Sequence, residues 1–217
     1  MSERSINYVE INLDNIVCTT STVENGKVIH FRNKSESKAK RIYISFMDAR
    51  FERVIEGSHM SHAIFKPLDN GPADFQTKLR NKAKTFLVEN VIDLFGKKRT
   101  EATINKRLGN MFLDGDGNFS IPLDMGVYET ISIPVFDEVS SHFDADKPRT
   151  DVTDESFEKI FMATTSKLIY IMPNITIENK DKIKTSIRPA QIQIQKRDGE
   201  EEYTPPEESS SSESDQE

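Results

Sequence analysis

The stretch DFQTKLRNKAKTFLVENVIDLFG, residues 74–96, decides the fold of this chain. Its apolar residues recur at steps of three and four, which is the period of an α-helix with one buried face. These residues are Phe75, Leu79, Ala83, Phe86, Leu87, Val91, Leu94 and Phe95. An Asn-Gly-Pro turn at 70–72 precedes the stretch, and Gly96 is placed to end it. The sequence therefore predicts one long amphipathic helix over residues 73–95.

The rest of this helix surface and the residues that follow it are rich in positive charge. Between residues 78 and 107 the chain holds nine basic groups against three acids. The basic groups are Lys78, Arg80, Lys82, Lys84, Lys97, Lys98, Arg99, Lys106 and Arg107. A positive face on a core helix indicates a surface for a polyanion, while the alternative is a solvated face without a partner.

The charge of the chain is divided between a body and a tail. The formal net charge of the 217 residues is −7, but residues 198–217 hold nine acids and no Lys or Arg. Without these nine, 27 acids face 29 basic residues, so residues 1–197 carry a net charge of +2. The tail is rich in Ser, Glu and Pro, a composition that buries too little apolar surface to fold. We expect a folded domain over 1–197 and a disordered acidic tail over 198–217.

Composition also disfavours several classes of protein. Cys18 is the only cysteine, which excludes a disulfide framework and a zinc site built from cysteines. No apolar run approaches the roughly 18 residues that a membrane-spanning helix needs, and the N-terminus lacks the apolar core of a signal peptide. We expect a soluble, intracellular protein that does not bind membranes.

Alternating apolar residues predict strands on both sides of the long helix. The predicted strands are residues 6–13, 27–32, 41–46, 127–136, 166–172 and 187–195. Turns are predicted at Asn25-Gly26 and at 114–118, and short helices at 100–108 and ending near Met162. Residues 47–66 are expected to form a strand and a loop, and residues 173–186 a connection. This mixture of elements predicts an α+β fold.

Candidate metal and catalytic motifs are weak. The DGDGN segment at 114–118 is similar to a calcium-binding loop, but Phe119 and Met125 stand where an EF-hand needs Gly and Glu, so a turn is favoured. His59 and His62 have a spacing seen in metal sites without an evident third ligand. The chain contains neither a P-loop, a dinucleotide-binding glycine motif nor a nucleophile elbow. The sequence predicts no catalytic residue, no metal and no cofactor, and therefore not an enzyme.

Aromatic residues lie next to basic residues on several predicted strands. The pairs are Phe31 with Arg32, Tyr43 with Arg41, Phe112 with Arg107, and Tyr170 with Lys167. Proteins bind single-stranded nucleic acid in this way, with a positive groove along the phosphates and rings stacked on the bases. The alternative is that Phe31 and Phe112 belong to the core and the lysines only solvate the surface. The predicted nucleic-acid-binding residues are Arg32, Lys34, Lys40, Arg41, Tyr43, Lys78, Arg80, Lys82, Lys84, Lys97, Lys98, Arg99, Arg107 and Tyr170.

A basic, β-rich body with an acidic tail resembles the organisation of phage and viral single-stranded DNA-binding proteins. Three segments are similar to DNA-binding proteins of large DNA viruses: the F-x-x-K-L start of the helix at 75–79, SIPLD at 120–124, and residues 167–195. The resemblance implies an OB-like β-barrel and sequence-independent binding of single-stranded DNA in replication, recombination or repair. It also implies that residues 209–217 recruit replication proteins and compete with DNA.

The segment RIYISFMDARFER at 41–53 resembles a motif of plant-virus movement proteins of the thirty-kilodalton superfamily, with Asp48 and Arg50 in the matching positions. This resemblance implies a β-rich domain that binds single-stranded nucleic acid. A different alternative is a virion or interaction protein whose basic face docks an acidic partner. A viral origin would place the protein in the cytoplasm or nucleus of the host cell. The sequence leaves open a homo-oligomer and the choice between DNA and RNA.

Overall fold

The computed structural model describes residues 5–34, 42–56, 61–123, 133–137, 148–153 and 156–196. The strands are β1 (Ser5–Asn7), β2 (Ile16–Val23), β3 (Gly26–Asn33), β4 (Tyr43–Ile55), β5 (Ser61–Pro67), β6 (Phe119–Leu123), β7 (Val135–Asp137), β8 (Thr164–Glu178) and β9 (Lys182–Lys196). The helices are α1 (Gly71–Glu89), α2 (Val91–Phe95), α3 (Glu101–Arg107) and α4 (Phe157–Met162). The α+β class is therefore confirmed. None of the helices within the described ranges is long and apolar enough to cross a membrane.

Strand β8 is the centre of the sheet. It pairs along its length with β9, and on its other side first with β4 and then with β3. Strand β2 continues the sheet beyond β3, while β5 and β6 continue it beyond β4. Most pairs are antiparallel, but β1 pairs with β4 and β7 pairs with β9 in parallel. The described strands form a branched open sheet that does not close into a barrel, so the OB-like barrel is not confirmed.

The long helix lies close to its predicted position. Asn70 precedes α1, Pro72 lies in its first turn, and its buried residues are Pro72, Phe75, Leu79, Ala83 and Leu87. The helical path is interrupted at Asn90 and continues as α2, which Gly96 ends with a φ of 68°. A left-handed φ suits glycine because it has no Cβ. The predicted helix therefore consists of two helices with a common buried side.

Two clusters of aromatic rings form much of the core. The ring of Phe46 lies 4.8 Å from that of Phe112 and 4.9 Å from that of Phe119. Tyr170 is 1 % exposed and packs against this first cluster. The second cluster joins α4 to the strands β4 and β5, and its four rings are Phe51, Phe65, Phe157 and Phe161. Burial of each large ring stabilises the fold by about 2 kcal/mol before entropy losses are counted.

Two predicted segments have a different structure. Residues 6–13 do not form one strand: β1 ends at Asn7, and two short 3₁₀ helices follow, Tyr8–Glu10 and Leu13–Asn15. The side chains of Asn7 and Asn12 cap these helices and so interrupt the strand. The predicted connection at 173–186 is instead the tip of a long hairpin between β8 and β9. Most of the predicted strand at 127–136 and the whole tail lie outside the described residues.

Candidate nucleic-acid interface

Strands β2, β3, β8 and β9 have a core face and an outer face. Ile29, Ile175 and Ile177 are buried on the core face. Helix α2 lies on this side, as an ion pair shows: Lys27 Nζ lies 2.6 Å from Oδ2 of Asp93 in α2. Side chains alternate along a strand, so the residues between these positions point to the opposite side of the sheet. Along β8 and β9 this opposite side is accessible towards the hairpin tip, whereas Ile169, Gln191 and Gln193 on the same side are buried. We call its accessible part the outer face.

Five basic residues lie on the outer face or at its margins, and Lys180 lies at the hairpin tip, where its side chain reaches towards Gly96 on the helical side; all six are exposed. We call this set the basic surface: Arg32, Lys34, Lys180, Lys182, Lys184 and Arg188. Among the described residues only Lys184 has a carboxylate within ion-pair distance, because its Nζ lies 2.6 Å from Oε1 of Glu178. The other five cations are therefore available to an external anion as far as the described chain is concerned.

A hydrogen-bonded row of side chains crosses the middle of the outer face. Ser21 Oγ lies 2.8 Å from Nε2 of His30, and Nδ1 of the same ring lies 3.1 Å from Oδ1 of Asn174. With the amide oxygen of Asn174 as the acceptor, His30 donates from Nδ1 and accepts the Ser21 hydroxyl at Nε2. The row links β2, β3 and β8, and it presents hydroxyl, imidazole and amide groups to a ligand on this face.

The tip of the β8–β9 hairpin is held by two arginines. Asp181 forms ion pairs with Arg99 and Arg107, the second at 3.0 Å. Arg107 Nη1 also donates to the Asp181 carbonyl at 2.9 Å, and Arg99 Nη2 donates to the Lys180 carbonyl at 3.2 Å. The bonds from Arg99 and Arg107 hold the pKa of Asp181 below its usual range. These two predicted binding residues therefore anchor the hairpin that carries part of the basic surface.

The four basic residues of α1 do not form one surface. Arg80 donates to the side chain of Asn105 and to the Leu108 carbonyl at 2.8 Å, which fastens α1 to α3. Lys84 Nζ pairs with Glu101 of α3 at 3.0 Å. On the opposite flank of α1, Lys78 is exposed and Lys82 lies near Cys18. Burial raises the pKa of the Cys18 thiol to about 11, and the charge of Lys82 opposes this shift. Helix α1 therefore does not present one continuous positively charged face.

The described aromatic rings are mostly unavailable for stacking. Tyr170 is 1 % exposed in the core, so its ring is not accessible to a base in this structure. Phe31 and Phe112 are also buried, as the core interpretation of these rings expected. Tyr43 is half-buried on β4, next to β8, and its pairing with position 171 places its side chain on the outer face. It is the predicted ring that adjoins the basic surface.

The remaining predicted residues are placed as follows. Lys97 and Lys98 are exposed directly after α2, whereas Lys40 and Arg41 lie outside the described residues. Asp48 is exposed with a φ of 55°, where the pairing of β4 with β8 shifts register. The described residues contain no group of three His, Cys, Asp or Glu side chains that would hold a metal ion.

Four of the six residues of the basic surface are absent from the sequence-based prediction. They are Lys180, Lys182, Lys184 and Arg188. The signal for them was the alternation of Ile175 and Ile177 before an Asn-Lys-Asp turn, and of Ile183 after it, which indicates a hairpin with one buried face. No protein-family model matches the chain, and no curated protein matches it at a significant level.

Proposed function

We propose that the protein binds single-stranded DNA without sequence preference, through the outer face of the sheet. The observation that carries the proposal is the basic surface, where Glu178 is the one acid among the described residues on the same strands β8 and β9. Such a surface binds phosphates strongly because its lysines and arginines displace the cations condensed on the nucleic acid, and the release of these cations favours binding. The activity requires no covalent step, and it suits a role in replication, recombination or repair.

The length of the basic surface supports binding of several nucleotides. Lys182 and Arg188 lie six residues apart on β9, which corresponds to about 20 Å at the rise of an extended strand. Ser21, His30 and Asn174 add hydrogen-bond partners beside this line of charge. Binding sites of OB folds that bind single strands cover about 4–16 nucleotides. The surface is therefore large enough for a short single-stranded segment.

We assign the proposed preference of the protein for single-stranded over duplex DNA to stacking of the Tyr43 ring. Base stacking contributes about 1–3 kcal/mol per base, and only unpaired bases expose their rings for it. Since most other described rings are buried, phosphate contacts supply most of the proposed affinity. Replacement Tyr43→Leu is expected to weaken binding to an oligo-dT strand about tenfold while leaving binding to duplex DNA nearly unchanged.

Fluorescence anisotropy with labelled oligo-dT tests the proposal. The variant Lys182→Glu/Arg188→Glu removes two phosphate contacts, so the slope of log affinity against log salt is expected to fall by about 1.4. The matched control Lys78→Glu/Lys106→Glu has the same change in charge, but its two sites lie on the helices. Equal binding by the wild type and the outer-face variant at matched salt would refute the proposal.

The alternative partner is an acidic protein surface. It would use the same cations, but without the release of condensed counterions that makes binding to DNA steeply salt-dependent. Absence of binding to oligo-dT at about 50 mM salt would favour this alternative.

A further inference from the structure

A second surface feature lies on the helical side, at the N-terminal end of α1. There the two 3₁₀ helices and the first turns of α1 enclose an open groove of about 470 Å³. Val9, Leu13 and Phe75 contribute apolar side chains to it, and Val9 is 67 % exposed. A contiguous apolar patch that is rimmed by polar residues, rather than one exposed side chain, marks a site of interaction with another molecule. We call this feature the N-terminal groove.

The N-terminal groove is acidic. Asp14 and Asp74 line it against a single cation, Lys78. Asp69 lies next to it, with Oδ1 3.4 Å from the Tyr8 hydroxyl. Burial and then the negative charge of Asp69 raise the pKa of Tyr8, which also lines the groove. The groove therefore suits a ligand that combines an apolar side chain with positive charge.

The chain carries such a segment at the other end of the same helical path. Ile92 in α2 is 55 % exposed, and Lys97 and Lys98 are exposed just after α2. No carboxylate of the described residues lies within 4.0 Å of either lysine. We call Ile92, Lys97 and Lys98 the post-helix segment. Its single apolar side chain and its two cations match the apolar lining and the two carboxylates of the groove.

The post-helix segment cannot fill the groove of its own molecule. The 19 residues of α1 span about 28 Å at the helical rise, and they separate the groove from α2. A contact between the two surfaces must therefore join two molecules. Because the surfaces differ, the contact is heterologous, and each added molecule presents a free groove at one end and a free segment at the other.

From this complementarity we infer that the protein self-associates head to tail, with the post-helix segment of one molecule in the N-terminal groove of the next. Both surfaces lie on the helical side of the sheet, so the contact leaves the outer face uncovered. The contact is small, and such interfaces are weak and transient. The inference does not depend on nucleic-acid binding, and its test contains none.

Sedimentation velocity of the full chain at about 5–200 μM tests the inference, because weak association becomes visible only in this range. The wild type is expected to increase in weight-average mass beyond a dimer as its concentration rises. Raising the salt from 50 to about 500 mM is expected to reduce this mass, since the contact is charged. Circular dichroism confirms that each variant is folded.

Two variants disable opposite sides of the contact. Lys97→Asp/Lys98→Asp disables the post-helix segment, and Asp14→Asn/Asp74→Asn neutralises the groove; each alone is expected to sediment as the 24.8 kDa monomer. Mixed in equal amounts, they retain one intact groove and one intact segment, so they are expected to form a 1:1 dimer that grows no further. A wild type that stays monomeric at 200 μM, association that is independent of salt, or variants that assemble like the wild type would each overturn the inference. Any of these results would leave the groove to a ligand other than a second copy.

Discussion

At the scale of single residues, one side-chain oxygen organises the loop after α3. Oε1 of Gln76 accepts hydrogen bonds from three successive backbone N–H groups, those of Met111, Phe112 and Leu113, at 2.7–3.1 Å. These three residues are buried. If the acceptor were lost, water could not reach their N–H groups to replace it. An unsatisfied buried donor costs about 1–3 kcal/mol.

Replacement of Gln76 therefore tests this anchor. Gln76→Ala is expected to lower the free energy of unfolding by about 3 kcal/mol, because three donors lose their acceptor together. Gln76→Glu keeps an acceptor oxygen and should lose less than about 1 kcal/mol at pH 7, since backbone N–H groups stabilise a carboxylate. Urea unfolding of both variants provides the measurement. Equal stability of the alanine variant and the wild type would show that the loop is held by other contacts.

Asp181 makes stability depend on pH. Its folded pKa lies below its unfolded value because of Arg99 and then Arg107, so the ion pairs stabilise the fold above about pH 4. This contribution is lost as the pH falls through the folded pKa. Asp181→Asn should therefore be less stable than the wild type at pH 7, and the difference should vanish at low pH. Urea midpoints at both pH values measure this, with Asp116→Asn in an exposed turn as the control that should change neither.

At the scale of elements, the β2–β3 hairpin packs closely against β8 at Gly26. A Cβ on Gly26 would lie 1.9 Å from the carbonyl oxygen of Ile177, a distance that requires the backbone to move. Gly26→Ala is expected to destabilise the protein by about 2–3 kcal/mol. Gly115→Ala is the matched control, because nothing lies within 4 Å of a Cβ there. Thermal unfolding that shows equal shifts for both variants would contradict the close packing.

The elements predicted correctly are those whose apolar period is undisturbed. Helices α1 and α3 and strand β3 lie near their predicted positions. The β8–β9 hairpin was missed because Pro173 indicates a break in a strand. In the structure this proline lies where the pairing of β8 with β9 shifts register between residues 171 and 174, so the strand continues beyond it. The alternation of apolar residues correctly indicated a strand, and the pairing with β9 outweighed the tendency of Pro173 to end it.

The predicted site depended on sequence clusters of charge, which the fold separates. The cluster on α1 is divided between contacts with α3 and the opposite flank of the helix. Arg32 and Lys180 lie far apart in the sequence, but Arg32 lies on β3, which pairs with β8, and Lys180 lies in the turn that follows β8. A surface assembled across strands requires the strand order, which the positions of single charges in the chain do not encode.

At the scale of the whole molecule, the position of the tail limits how it can act. Strand β9 ends at Lys196, about 26 Å along the strand from Arg188 and about 46 Å from Lys182. A flexible chain of 20 residues has a root-mean-square length of about 25 Å. A tail that is flexible over residues 198–217, as its composition predicts, should therefore reach the Arg188 end of the basic surface far more often than the hairpin tip.

Deletion of residues 198–217 is expected to raise affinity for single-stranded DNA. The tail is tethered at an effective concentration on the order of millimolar, so even a weak contact with Arg188 competes with phosphates. The increase should be about two- to fivefold at 50 mM salt and should fade at higher salt, where charge interactions are screened. Anisotropy with oligo-dT measures it, and a tail of equal length with Gln in place of its nine acids should give the same increase. In an Arg188→Glu background the deletion should have little effect. Equal affinity with and without the tail in the wild-type background would contradict competition while leaving the proposed binding by the outer face intact.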